Sequence, residues 1–227
     1  MMYFSDKLKK MISFGLKAVV VFLITMVFLF WIEAISFRKT MKIEEKPKKK
    51  IFERKLVDMP FYVFSTSVVP YPKNFAPSGY MGDKNDIKMT GSYDVKLKKK
   101  YPCLKLTYDP TGEKGWSGIM WQNPANNWGE FEGRYDLSKA TKLTFWARGD
   151  KGGEVVEFKV GGVGPPFSDS LNLTSGEIVL EKKWIKYVFH LEDFSRHTIS
   201  GGFSFISTRE ENRNGCIFYL DEVRYEN

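Results

Sequence analysis

From Pro60 to the C terminus, apolar and polar positions alternate with a period of two, in short runs broken by Gly, Pro, Asn and Asp. Runs of that kind predict strands. They fall near Phe61–Ser67, Cys103–Tyr108, Trp116–Gln122, Lys142–Arg148, Val155–Val160, Glu177–Leu180, Trp184–Leu191, Gly202–Ser207 and Cys216–Arg224. No stretch after Pro60 carries an uninterrupted helical period. About nine short strands in ~168 residues predict an all-β body, a single antiparallel jelly-roll β-sandwich over 60–227.

Alternation also assigns faces. Leu143, Phe145 and Ala147 form the apolar side of one strand, leaving Trp146 and Arg148 opposite. Val156, Phe158 and Val160 form that of the next, leaving Glu157 and Lys159 opposite. Ile185, Tyr187, Phe189 and Leu191 form a third. If the first two strands are neighbours, Trp146, Arg148, Glu157 and Lys159 line one outer sheet face and make the floor of a binding surface. Ordinary cross-strand ion pairs on a solvated face are the competing explanation.

One stretch departs from the alternation. Gly115–Glu130 holds Trp116, Trp121 and Trp128, with Gln122, Asn123, Asn126 and Asn127 between them. A core needs aromatics but has little use for four amides. Amides beside broad aromatic faces suit a surface that grips a neutral, hydroxyl-rich ligand. In a regular strand Trp116 and Trp121 point to opposite sides. Ile119 and Trp121 share the inward face, so Trp116 is the exposed candidate, and Asn126-Asn127-Trp128-Gly129 is a turn that displays Trp128 or folds it back as a lid.

The N-terminal segment is different in kind. Ala18–Ile32 is an uncharged apolar run preceded by Lys7, Lys9, Lys10 and Lys17, which predicts one hydrophobic helix. Residues 1–36 are a signal anchor, or a signal peptide cut after Ser36, and 37–59 are a charged linker. Either way the C-terminal body is expected outside the cytoplasm, membrane-anchored or secreted. The net charge of +8 divides unevenly. Residues 1–59 carry 13 Lys/Arg against 6 Asp/Glu, and residues 60–227 carry 22 against 21. A nearly neutral body excludes the basic footprint of a nucleic-acid binder. The linker lysines could touch anionic lipid head groups. Cys103 and Cys216 fit one disulfide or two buried thiols. With His190 and His197 the only histidines, the usual Cys/His zinc spacings are excluded.

Five blocks now resemble a known group. They are Pro77–Asp83, Trp121–Gly129, Leu143–Gly149, Phe158–Gly162 and Phe218–Val223. In order and spacing they look like a bacterial group of exported β-sandwich domains similar to carbohydrate-binding modules of the galactose-binding-like superfamily. The resemblance spans roughly Phe61 to Tyr225. It implies a sugar-binding function and a structural calcium held through an acidic residue on the last strand, where Asp221 stands. Glu222 occupies the place where relatives commonly carry a second Asp. Asp83 and Asp86 form another oxygen-rich loop suited to a hard cation.

Catalytic constellations are missing from the pattern. Glu154 and Glu157 lie on opposite faces of a strand and cannot flank a glycosidic bond. Ser195, His197 and Asp193 form a polar run, not a triad assembled from separate segments. Gly161–Pro166 has no following Lys-Ser/Thr and no helix, so it is no phosphate cradle. The expectation is a non-catalytic module, membrane-tethered or secreted, that contacts polysaccharide through Trp116, Gln122, Asn123, Asn126, Asn127, Trp128, Trp146, Arg148, Glu157 and Lys159. The alternative is an envelope structural or assembly protein that binds a protein partner through the same face.

Overall fold

The computed structural model describes residues 23–33, 54–66, 74–92 and 103–227. Residues 23–33 form an α-helix with exposed apolar side chains, including Leu23, Phe30 and Trp31. Much of the expected anchor, and most of the linker, lies outside the described residues. Among the described residues no helix is long and apolar enough to cross a membrane.

Among the described residues thirteen strands follow: β1 (Lys55–Leu56), β2 (Phe61–Phe64), β3 (Ala76–Gly82), β4 (Ile87–Ser92), β5 (Cys103–Tyr108), β6 (Trp116–Gln122), β7 (Tyr135–Asp136), β8 (Lys142–Gly149), β9 (Val155–Gly161), β10 (Asn172–Val179), β11 (Ile185–His190), β12 (Gly201–Thr208) and β13 (Cys216–Glu226). They build the expected antiparallel sandwich. One sheet has the order β10-β9-β12-β6-β3; the other runs β11-β8-β13-β5-β4, with β2 added beside β13. Among the described residues only the short β1–β7 pair is parallel. Because β1 pairs with β7 and Val57 is buried in the core, the sandwich begins before Pro60.

Aromatic rings join the sheets. Phe145 of one sheet meets Phe158 and Phe203 of the other at 4.6 and 5.1 Å between centroids. Phe205 meets Phe218 edge-on at 5.1 Å. Each such ring, fully buried, contributes about 1.5–3 kcal/mol by area alone. The Tyr225 hydroxyl crosses the core to donate to the Gly202 carbonyl at 2.7 Å.

The register also decides the cysteines. β5 and β13 are neighbours, but Cys216 pairs with Tyr108, five residues from Cys103. Five steps separate them by roughly 17 Å and put them on opposite faces. Both are buried and neither is in a disulfide, and burial pushes the Cys216 thiol up to about 11.

Candidate functional site

The outer face of the β10-β9-β12-β6-β3 sheet carries three rows of side chains set by register. At one end stand Val179, Val155, Thr208 and Trp116. The middle row is Glu177, Glu157, Ile206, Gly118 and Met81. The third is Thr174, Lys159, Ser204, Met120 and Gly79. Gly118 has no side chain because none fits: a Cβ there would lie 2.3 Å from the Phe205 carbonyl. Met81 and Ile206 close over it and make an apolar strip beside Trp116. The half-buried Trp116 ring rests on the backbone of Gly82, whose added Cβ would come within 2.8 Å of the ring.

A loop closes the other end of β6. Gln122 points out of the sheet but is fully buried, because its Nε2 donates to the Asn127 carbonyl at 3.0 Å and its Oε1 accepts from Ser78 at 3.1 Å. Asn127 is also buried. Its amide donates to the Phe131 carbonyl and to Ser200 Oγ, while its oxygen accepts from the Gly129 and Phe131 amides. Asn123 donates to the Asn74 carbonyl and to the Tyr135 hydroxyl. These three amides build the loop. The outward members are Asn126, exposed at φ 59°, and Trp128, 45% exposed. A second loop, 162–170, backs this wall: Phe167 donates to the Gly129 carbonyl, and a Cβ on Gly129 would strike the Gly164 carbonyl.

Asp169 pins that second loop to the start of β12. Its carboxylate accepts from Ser200, Gly201 and Val163 amides at 2.6, 3.0 and 3.1 Å. Burial nonetheless raises its pKa to about 6 against the pull of those three donors.

Charge on the open face is sparse. Glu157 accepts from Thr174 and stands 3.8 Å from Lys159. Glu177 lies directly opposite Glu157 in the β9–β10 pair. Ser204 Oγ, beneath this row, is fully buried and has no hydrogen-bond partner.

The expected floor does not form. β8 and β9 are consecutive in sequence but belong to different sheets. Trp146 and Arg148 therefore face outward on the far side of the sandwich from Glu157 and Lys159. There the Arg148 guanidinium lies 4.0 Å over the Tyr219 ring and 5.7 Å from Trp184. Tyr219 donates to Asp150 at 2.9 Å. Lower on the same face Glu226 accepts from Thr144, Lys186 and Arg224 at 2.8, 3.1 and 3.2 Å. Burial would raise the Glu226 carboxyl, but those hydrogen bonds and the Arg224 and Lys186 charges hold it below its ordinary value.

The acidic candidates for a cation are engaged elsewhere. Asp86 accepts from Thr111 Oγ1 and the Gly112 amide, and Asp83 accepts from the Gly115 amide, so both clamp the 109–115 loop. Arg209 caps that loop from its carbonyl side, at Pro110 and Gly112. Asp221 is buried on β13 and accepts from Thr66 Oγ1 at 3.1 Å and the Glu222 amide at 2.9 Å. Among the described residues no three His, Cys, Asp or Glu side chains converge.

Of the sequence-predicted residues, Trp116, Glu157 and Lys159 share one face, with Asn126 and Trp128 on its wall. Glu177, Ser204, Ile206 and Met81 were not anticipated there. Alternation along Gly202–Ser207 already sets Ser204 and Ile206 opposite Phe203 and Phe205, but which strands flank them is not a local property.

No protein-family model matches the chain, and no curated protein matches it. Solved structures do. A family 30 carbohydrate-binding module superposes with a TM-score of 0.53 at 14% identity, over 74% of this chain and 89% of that one. The family 11 module of a cellulosomal cellulase of Clostridium thermocellum gives 0.49 at 12% identity, over 75% and 96%. The chain has the β-sandwich fold of carbohydrate-binding modules.

Proposed function

We propose that this chain is a non-catalytic carbohydrate-binding module whose ligand lies on the outer face of the β10-β9-β12-β6-β3 sheet. The observation that carries it is the make-up of that face. An indole, Trp116, stands at its open end, a loop bearing exposed Trp128 and Asn126 walls the other, and hydroxyls and one loose ion pair lie between. The rise of a strand puts the two ends of β6 about 20 Å apart, room for several sugar rings in line. Fold likeness supports the reading without deciding it. On this proposal the N-terminal apolar segment tethers the module to a membrane or directs its secretion.

The test is titration of the purified chain against a broad glycan panel, with Trp116→Ala beside it. Binding to at least one glycan, weakened by the substitution, is expected. Silence across the panel, together with stable co-purification of one protein, would favour the second reading, an envelope protein partner. That reading draws on exposed Val179 beside Val155 and Ile206 on the same face. For calcium the candidate ligands stay Asp221, Asp83 and Asp86, each of which also accepts hydrogen bonds within the chain. A melting temperature unmoved by a chelator would remove calcium from the account.

A further inference from the structure

The β9–β10 edge of the open face holds an arrangement that the glycan reading does not require. Glu157 and Glu177 are direct register partners in an antiparallel pair, both outward, since Val156, Phe158 and Ile178 turn to the core. Opposed Cβ atoms in such a pair stand about 4.5–5.5 Å apart, and like charges there are destabilising. Lys159 offsets one of the two, at 3.8 Å from Glu157. No cation of the described residues pairs with Glu177. By register its outward neighbours are Thr174 and Val179 on β10 and, diagonally across on β9, Val155 and Lys159, the last already drawn to Glu157.

A second observation is independent of the carboxylates. Ser204 Oγ, 0% exposed and without a partner, stands in the next row, between Lys159 and Met120 in register. A buried hydroxyl left unsatisfied costs about 1–3 kcal/mol. Its register partner on the side of the acids is Lys159, whose 3.8 Å ion pair with Glu157 is longer than a hydrogen bond. A cation arriving between Glu157 and Glu177 competes with Lys159 for Glu157.

We propose that the ligand is a glycan of amino sugars with free amines, its ammonium seated between Glu157 and Glu177 and a neighbouring hydroxyl reaching Ser204. This rests on the glycan-binding reading above and names the class of sugar it would take.

The experiment uses the full chain and three tetramers of matched length: β-1,4-linked glucosamine, its fully N-acetylated form, and the glucose tetramer. The amine form is expected to bind at least tenfold more tightly than either neutral one. The advantage should shrink as salt rises from about 0.05 to 0.5 M, because it is a charge effect. Glu177→Gln, at an exposed position, should erase the preference while its melting curve confirms the fold. Equal affinity for all three tetramers overturns the amine and leaves glycan binding standing. No binding to these tetramers or to any of a broad panel overturns both. A lysine-rich peptide that binds as tightly as the glucosamine tetramer, with no dependence on Trp116, overturns the sugar and assigns the site to a protein.

Discussion

The two outer faces of the sandwich contain similar side chains and use them in opposite ways. On the β11-β8-β13-β5-β4 side, Arg148 stacks on Tyr219, Tyr219 bonds Asp150, and Glu226 collects Thr144, Lys186 and Arg224. These groups meet one another within the face. On the β10-β9-β12-β6-β3 side, Glu177 faces another carboxylate, Ser204 has no partner, and Trp116 is half-buried at an open end. A self-satisfied face contributes stability, whereas unspent groups cost stability and are retained where a ligand completes them. Residue type does not separate the two faces. What separates them is how the carboxylates are met: Glu226 by three donors, Glu177 by a facing carboxylate.

The contrast extends to pH, and here the largest effect is expected. Asp169, at the base of the open face's wall, has its pKa raised from 3.8 to about 6. A raised carboxyl favours the fold while protonated, so its contribution is complete below pH 4 and is lost as pH climbs through 6. The shift corresponds to about 3 kcal/mol. Glu226, on the closed face, is lowered, so its contribution is present above the ordinary carboxylate range and is lost as pH falls through the depressed value. Denaturant unfolding of wild type and Asp169→Asn from pH 3.5 to 7.5 separates them. The wild-type-minus-variant stability should fall by about 2 kcal/mol between pH 4 and 6, and by nearly the full ~3 kcal/mol across the whole range. A flat difference would break the contrast at the wall.

Glu226→Ala sharpens the other side. It leaves Arg224, Lys186 and Thr144 without their shared acceptor, and a cost of about 2 kcal/mol follows from the loss of several charge-assisted hydrogen bonds. The corresponding change on the open face, Glu177→Ala, should leave stability unchanged or raise it by a few tenths of a kcal/mol, since it removes a like-charge opposition. Chemical denaturation of both variants reads this directly. Equal losses would mean that the two faces are built alike.

How much of this was legible beforehand depends on the range of the interaction concerned. Ile119 and Trp121 inward with Trp116 outward follows from a period of two, and the structure agrees. The missed strands β3 and β4 contain Pro77, Ser78, Gly79 and Gly91, residues that locally mark turns and are held extended only by pairing with β6 and β5. The supposed floor failed for a similar reason. Alternation correctly turned Trp146, Arg148, Glu157 and Lys159 outward, but β8 and β9 enter different sheets, and a local period does not encode that crossover. Gln122 and Asn127 were misjudged because an amide suited to gripping a sugar is equally suited to bracing a loop. Only a count of its partners distinguishes the two.

The sharpest test pairs two tryptophans that composition cannot tell apart. Trp116 borders the apolar strip of Met81 and Ile206 on the open face. Trp146 lies on the closed face, opposite Asp221 in register and beside the Glu226 network. Loss of one ring's stacking on a sugar is worth about 1 kcal/mol, so Trp116→Ala should weaken glycan binding roughly five- to tenfold. Trp146→Ala removes a ring of the same size on the far side of the sandwich and should shift the dissociation constant less than about twofold. Isothermal titration of both variants against the same glycan decides. If Trp146→Ala were the more damaging, the ligand would belong on the closed face, and the self-satisfied network around Glu226 would have to be read as a binding platform held rigid in advance.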